Sequence, residues 1–485
     1  MFSPVFYIIG HLLVILGVTM LGPALLDHLQ HQAEGVIFLT SSSITVFTGF
    51  SLIFAFKTNI KEISVRQAFL LTFLTWTILS GFAAIPFMLT SLKLTFTEAY
   101  FETMSGLTTT GSTIFKNLDH LSQGLHLWRA FLSGLGGIGI IVLAIAILPL
   151  LKIGGMQLFQ MESSDKFDKF LPRSTQIAAN IVLIYLGLIL LCFFAYWFFG
   201  MSFFDAIFHS ITTLATSGTS THDQSFGYFN NARIEWVGII FMLLGAMPFV
   251  LYAKFLMGNR RALLKDGEVQ LFIGFICVAA ILIFAHLFQK YGGFQAKIDF
   301  FALMRKSIFH AVSYMTTTGI ATENILKWGS FPLLILLFLG LIGGCRGSTS
   351  GGLKVFRFRV LLAQTSTQIA KLIHPRGIFI PYFNNKAISP NILTSVSTFI
   401  FVYVLIIFIF ASAYACVGVD FSSSLSISIS TLSNTGQGLT EIYGPFSSFA
   451  DLPIVAKWIM ILGMLLGRLE IFSVLVVFLP FFWRN

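Results

Sequence analysis

Four short segments carry the one pattern in this chain that could do repeated chemistry: LTTTGST (107 to 113), LATSGTS (214 to 220), MTTTGIA (315 to 321) and LSNTGQG (432 to 438). Aligned without gaps on Gly111, Gly218, Gly319 and Gly436, they place Thr110, Ser217, Thr318 and Thr435 just before the glycine and Thr109, Thr216, Thr317 and Asn434 one residue earlier. Leu107, Leu214, Met315 and Leu432 fall four residues before the glycine, and Ser105, Thr212, Ser313 and Ser430 six before. The chemistry such bends offer is main-chain oxygen. A hard monovalent cation is stripped of water by a ring of inward carbonyls, and glycine lets the backbone turn to present them without interference from a Cβ. Outer loops are often rich in Ser, Thr and Gly, but four matches in register point to one device used four times.

Each bend needs an element to position it. The segments FTEAYFETMSGL, FFDAIFHSITTL and FALMRKSIFHAVSYM precede the first three bends and are too short to cross a hydrocarbon core of ~30 Å. They are expected to be re-entrant half-helices, each aiming the partial negative charge of its C-terminal end at the bend. Irregular backbone at membrane depth must line a pore or lie inside protein. Glu98, Glu102 and Asp205 on these segments are expected to serve as N-terminal caps and dipole partners. His209 and His310 are expected to be satisfied core residues rather than ligands.

The wider pattern supports a membrane setting, because 56% hydrophobic residues, 55 Phe and only 10% charged residues exclude a water-soluble globule. Apolar runs near 5 to 26, 36 to 56, 68 to 92, 127 to 151, 175 to 199, 235 to 257, 269 to 289, 391 to 416 and 453 to 481, with an interrupted tenth near 331 to 362, predict ten spans. The first is expected to be a retained helix, not a cleaved signal. The glycines recur at intervals of 107, 101 and 117 residues, as expected of an internal duplication. The organisation read from this is two extra helices at 1 to 60, then pore repeats at 61 to 160, 161 to 262, 263 to 380 and 381 to 485. The expected fold is an all-α integral membrane protein, with four tandem repeats of helix, pore helix, filter loop and helix around one pseudo-four-fold pore.

The 30 Lys and Arg against 20 Asp and Glu would suit a nucleic-acid partner, but their placement has a topological cause. Lys57, Lys61 and Arg66, then Lys152, Lys166, Lys169 and Arg173, then Lys254, Arg260, Arg261 and Lys265, and finally Lys354, Arg357 and Arg359 cluster in alternate loops. Both termini are therefore expected in the cytoplasm, with the four glycine bends outside and no nucleic acid bound. The four cysteines have no CxxC spacing, so neither a disulfide framework nor a zinc site is indicated. No HExxH, GxSxG or phosphate-loop string is present, and no enzyme activity or cofactor is expected.

A second motif interrupts the tenth run: IGGCRGSTSGGLK, with Gly343, Gly344, Gly347, Gly351 and Gly352 inside what should be a spanning helix. Glycine costs roughly 1 kcal/mol in a helix interior relative to alanine, so this run should break into a loop lodged within the protein. With Ser348 and Thr349 it could cross a permeation path as a gate; close packing of helices on small residues is the competing reading. SGLGGIG (133 to 139) fits the packing reading better. Arg468, placed midway along the last run, costs roughly 2.5 to 3.5 kcal/mol at membrane depth if unpaired. It is expected to face the interior, either opposite the 343 to 352 loop as part of a barrier or as a static partner of Glu470 or loop carbonyls. Arg346 also lies inside this loop.

On the four bends and this architecture the chain resembles the Trk/Ktr/HKT superfamily of potassium transporters, and most closely its bacterial TrkH-type membrane subunits. The likeness runs the whole length. It implies potassium as the transported ion, a filter at Thr109 to Gly111, Thr216 to Gly218, Thr317 to Gly319 and Asn434 to Gly436, and a constricting loop at 343 to 352. It further implies a homodimer in the bacterial inner membrane, in contact with membrane lipid, with a cytosolic nucleotide-binding ring of TrkA type as partner. Two alternatives from other classes are a secondary transporter with inverted repeats and a midplane site, and an intramembrane enzyme. The repeats here all run in one direction, and no convincing catalytic pair lies at membrane depth.

Overall fold

The computed structural model describes every residue except Met1, 59 to 62, 147 to 173, 293 to 298, Asn385 and Asn485. The inner segment with Lys152, Lys166, Lys169 and Arg173, and the end of the run expected to reach 151, lie outside the described residues. Among those described, seven helices are long and apolar enough to cross a membrane, or up to nine if two sharply bent pairs each count as a span. Large apolar side chains such as Phe47, Phe54, Phe198 and Phe401 stand exposed around the outside, as a lipid-facing surface requires.

Helices Ser3–Thr19 and Glu34–Ala55 pack face to face. Gly10 and Gly49 let the backbones approach, since a Cβ on Gly10 would lie 2.9 Å from the Gly49 carbonyl. Between them, Leu21–Leu29 brings the buried Asp27 against the first repeat, where its carboxylate accepts the amide of Gly124 at 2.8 Å.

Four half-helices follow, one per repeat: Phe96–Leu107, Phe203–Leu214, Phe300–Met315 and Phe421–Leu432. All four are capped by a side-chain oxygen, from Thr95, Ser202, Asp299 and Asp420, which accepts an amide of the first turn. At ~1.5 Å rise per residue, the twelve-residue ones reach only about 18 Å and stop at mid-depth.

Each half-helix packs on the helices flanking it in its own repeat. A methyl group on Gly136, Gly245 or Gly467 would collide with the carbonyl of Leu107, Leu214 or Leu432, the last residue of the half-helix beside it. The packing reading of 133 to 139 therefore describes the contact that Gly136 makes.

Two runs expected as continuous spans are sharply broken. Ala232–Ala246 turns 94° into Phe249–Leu256 at Pro248, which cannot continue the helix and holds Met247 extended. Ile454–Arg468 turns 115° into Ile471–Phe478 through Glu470, whose φ is +63°. Arg468 thus sits at a helix C-terminus rather than midway along a span. The tenth run divides as expected, into Ser330–Ile342 and Val355–Ile373 with a loop between. A short antiparallel hairpin, Tyr382–Phe383 with Lys386–Ala387, follows before the last long helix, Pro390–Cys416.

Candidate functional site: the ring of four bends

Each half-helix ends the same way. Thr109, Thr216, Thr317 and Asn434 take left-handed φ of 50°, 51°, 54° and 54°, and the glycines two residues on take 84°, 72°, 77° and 84°. The residue between them donates its amide back to the carbonyl of Ser105, Thr212, Ser313 or Ser430 at 2.8 to 3.0 Å. The left-handed residue donates to Gly106, Thr213, Tyr314 or Thr431 at 3.0 to 3.2 Å. This pair of bonds is the Schellman helix ending, which satisfies carbonyls the helix would otherwise leave bare. Three of the four left-handed positions hold threonine, at a strain of order 1 to 3 kcal/mol that only a closely fitted site sustains.

The four bends close on one another in chain order. A Cβ added to Gly111 would overlap the carbonyl oxygen of Ser217; on Gly218, that of Thr318; on Gly319, that of Thr435; and on Gly436, that of Thr110. Each glycine therefore lies against the carbonyl before the next repeat's glycine, and the fourth returns to the first. All twelve residues from these bends come together in this ring, and of them only Gly111 is more than marginally exposed.

Hydroxyl contacts hold the ring with one substitution and one addition. Thr108 and Thr110, Thr316 and Thr318, and Ser433 and Thr435 pair their Oγ atoms at 2.7 to 2.8 Å. Repeat two has Ala215 at the first of these positions, and Ser133 from the neighbouring helix reaches Ser217 at 2.8 Å instead. In repeat four, Asn434 donates its side-chain amide to Thr110 Oγ1 and to the Met464 carbonyl, both at 2.9 Å.

The two sides of the ring differ. On the side away from the 343 to 352 loop lies a cavity of about 440 Å³, lined in part by Gly111, Gly218, Gly436, Ser112 and Gln437. On its rim, His222 stacks on Tyr228 with its Nδ1 2.5 Å from Asp119 and its Nε2 3.4 Å from Asp205. Beneath, the space bounded by Gly347, Ser348, Gly351, Gly352, Lys354 and Arg468 is about 20 Å³. That is room for about one water.

The loop that fills the underside also mends the broken helix of repeat two. Cys345 and Thr349 donate their amides to Ala246 and Gly245, carbonyls freed by the break at Pro248, at 3.0 and 3.2 Å. Phe249, at the start of the resumed helix, donates to Gly347 at 3.1 Å. Thr349 Oγ1 lies 3.2 Å from Thr216 Oγ1, Gly351 donates to Thr317 Oγ1 at 2.7 Å, and a methyl on Gly351 would overlap the Ser433 carbonyl. The loop thus abuts the bends of repeats two, three and four.

Two cations grip this loop by its carbonyls. Arg468 donates to Thr349 O at 2.7 Å and to Gly136 O at 3.4 Å, and Lys354 donates to Ser350 O. Arg468 therefore touches the loop directly, and Glu470 is not its partner.

Several charges have roles that sequence reasoning missed. Glu102 is not a cap: fully inside the protein, it accepts from Arg129 Nε at 2.8 Å and from Thr113 Oγ1 and the Ile114 amide at 3.0 Å. Lys354 and Arg357, assigned to an inner loop, lie at the underside of the ring, and Arg357 is wholly buried against Glu470 at 2.6 Å. Arg346 pairs with Glu268 at 3.1 Å. The signal available for these was charges inside apolar runs far apart in the chain, with no spacing to link them. Glu98, Asp205, His209 and His310 stand as expected: the carboxylates in first turns, and the imidazoles bonded to backbone four residues back at 2.9 Å.

Comparison with known proteins gives one consistent result. The family described as TrkH, cation transport protein, matches residues 35–485. The chain is 40% identical over its full length to the Trk system potassium uptake protein TrkI of Halomonas elongata, covering 97% of that protein. It is 37% identical to the Trk system potassium uptake protein TrkH of Escherichia coli, covering all of both chains. It also superposes on the crystal structure of the potassium transporter TrkH from Vibrio parahaemolyticus with a TM-score of 0.91, at 36% identity and full coverage of both.

Proposed function

Since the chain belongs to the TrkH family of cation transport proteins, we propose that it carries potassium ions across the membrane through the ring of four bends. The observation that carries this reading is the cyclic contact of each glycine with the carbonyl before the next. It puts the carbonyls of Thr110, Ser217, Thr318 and Thr435 around one axis, where an ion can exchange water for main-chain oxygen. Thr109, Thr216, Thr317 and Asn434 set the turn, and the hydroxyl pairs hold its width. The C-terminal ends of four half-helices add partial negative charge at the same point.

Residues 343 to 352 abut three of the four bends and are held by Arg468, so on this reading conduction requires the loop to move and the grip of Arg468 to loosen. Gly343, Gly347 and Gly352 have φ of +75°, +65° and +77°, conformations that give the loop a sharply folded path. Gly344, Ser348, Thr349 and Gly351 make the contacts that such movement would exchange.

The remaining assignments follow the same reading. The chain functions as a homodimer in the bacterial inner membrane with both termini cytoplasmic, surrounded by lipid, and a nucleotide-binding ring of the TrkA type docks on its inner basic loops. The repeats divide at 61 to 160, 161 to 262, 263 to 380 and 381 to 485, after two extra helices. Relatives named as parts of a Trk uptake system support the partner.

The test is flux into liposomes across potassium, rubidium, sodium and lithium, for the native chain and for Gly319→Ser. The side chain of the variant would strike the Thr435 carbonyl. Loss of discrimination between potassium and sodium is expected; unchanged discrimination overturns the filter assignment.

A further inference from the structure

We propose that Glu268 is a positioning residue for ion passage: it holds the intramembrane loop through Arg346 and ties it to the cytoplasmic hairpin, so that moving the hairpin moves the loop. This rests on the reading of residues 343 to 352 as the gate.

Glu268 is wholly buried in the first turn of helix Gly267–Lys290 and grips one residue of the loop twice. Its Oε1 accepts the backbone amide of Arg346 at 2.7 Å, and its Oε2 lies 3.1 Å from Arg346 Nε. An ionised carboxylate bonded to both the main chain and the guanidinium of the same residue fixes that residue in position and in direction. Arg346 is also one of the residues that bound the small space beneath the ring, beside Lys354, Arg468 and Glu470.

The other side of the same turn is held by the hairpin. Asp266 caps the helix by accepting the amides of Glu268 and Val269 at 2.9 and 3.1 Å, and Asn384 donates to its second oxygen at 3.1 Å. Asn384 Oδ1 in turn accepts the amide of Gly267 at 3.0 Å. Asn384 stands in the turn of the hairpin with φ of +46°, a conformation asparagine tolerates better than most residues. Its neighbour Phe383 is buried, with its ring 5.0 Å from the Arg346 guanidinium. Three consecutive residues, Asp266, Gly267 and Glu268, are therefore bonded to the hairpin at one end and to the loop at the other. The connection is short and made of buried hydrogen bonds, so little slack is available between the two. It also explains why an arginine occupies a loop position where a small residue would fit.

The experiment uses Cys345, which is buried in the loop next to Arg346. In the full-length protein in liposomes, with Cys277 and Cys416 replaced by serine, the rate of Cys345 labelling by a small maleimide added on the cytoplasmic side is measured together with rubidium flux. Glu268→Gln and Asn384→Ala are each expected to raise labelling several-fold and to raise flux in the absence of a cytosolic partner, with the ratio of potassium to sodium flux kept. Arg346→Lys, which retains a charge for Glu268, is expected to fall between them and the native protein.

If Asn384→Ala leaves both labelling and flux at native levels, the link to the hairpin is overturned, even if Glu268→Gln has an effect. If either variant loses ion discrimination along with its raised flux, the change is a general loosening of the fold, and the positioning role is overturned. Deleting part of 343 to 352 separates this inference from the gate reading. Raised flux in the deletion with silent latch variants leaves the gate standing and removes the latch; unaltered flux in the deletion removes the gate itself.

Discussion

The side-chain amide of Asn434 lies 2.9 Å from Thr110 Oγ1, so the last bend of the chain is fastened to the first by a hydrogen bond that joins residues 324 apart. The second bond of Asn434, to the Met464 carbonyl, anchors the same side chain to the helix Ile454–Arg468. Neither contact is open to threonine, which stands at this position in the other three repeats, because its hydroxyl reaches less far. Asn434, where the other three bends have threonine, therefore adds a seal to the one that Ser112 Oγ makes by donating to the Gly436 carbonyl at 2.6 Å. Asn434→Thr should keep the left-handed turn, as Thr109, Thr216 and Thr317 do, and lose the seal. The expected result is a several-fold fall in potassium over sodium discrimination in liposome flux, with a loss of about 1 kcal/mol of stability for the hydrogen bonds removed.

Glu102 gathers Arg129, Thr113 and the Ile114 amide, and Arg129 Nη1 passes on to the Ser220 carbonyl of the second repeat at 3.0 Å. With both side chains buried, removal of the carboxylate strands a positive charge beside the 440 Å³ cavity. Glu102→Ala is expected to cost about 3 to 5 kcal/mol, as breaking a buried pair does. Thermal unfolding in detergent should show the loss. The double variant Glu102→Leu with Arg129→Met should recover most of it, since no uncompensated charge remains; a double variant as unstable as the single one would contradict this account.

How much of this was legible beforehand depends on the kind of constraint. The four bends show in the sequence because glycine is required where a neighbour's carbonyl leaves no room for a Cβ, and half-helices show because their length falls short of a span. The threonines in left-handed conformation do not show: a β-branched residue is disfavoured there, and only the surrounding contacts hold it. Pro248 inside the run 235 to 257 was a readable sign of the 94° break, whereas the 115° break at Glu470 carried no proline or glycine at the turn itself. Buried pairs such as Arg357 with Glu470 join residues 113 apart, and nothing local identifies such partners.

His222 gives the rim of the 440 Å³ cavity a dependence on pH. Burial opposes its charge, but hydrogen bonds to Asp205 and Asp119 outweigh burial and raise its pKa above the ordinary histidine value of about 6.5. A raised folded-state pKa contributes stability that is fully present below the unfolded value and is lost as pH rises through the folded one. For Asp119, burial raises and the His222 hydrogen bond lowers, with a net depression, so its contribution is lost only in acid. The expectation is that thermal stability declines as pH is taken upward from about 6.5, and that His222→Ala abolishes this part of the decline. A native protein with the same pH profile as the variant would show that the imidazole carries no charge there.

Arg357 and Glu470 make a buried pair between the start of the helix Val355–Ile373 and the turn at Glu470. Arg357 Nη2 reaches Glu470 Oε2 at 2.6 Å, Nη1 donates to the Leu353 carbonyl at 2.8 Å, and the guanidinium sits 3.6 Å over the Phe399 ring. Leu353 immediately precedes Lys354, whose ammonium holds Ser350 in the loop, and Glu470 follows Arg468 by two residues. The pair thus joins the start of the helix Val355–Ile373, where Lys354 stands, to the turn that follows Arg468 at the end of Ile454–Arg468. A lysine cannot reproduce the planar fork that serves carboxylate, carbonyl and ring together. Arg357→Lys is therefore expected to loosen both grips without unfolding the protein, raising ion flux in the absence of a partner while thermal stability falls by no more than about 3 kcal/mol. Arg357→Ala should be more unstable, because Glu470 would keep its charge in a buried place. If Arg357→Lys conducts at the native rate while Arg468→Ala conducts faster, the cation at 468 acts on the loop without help from this pair.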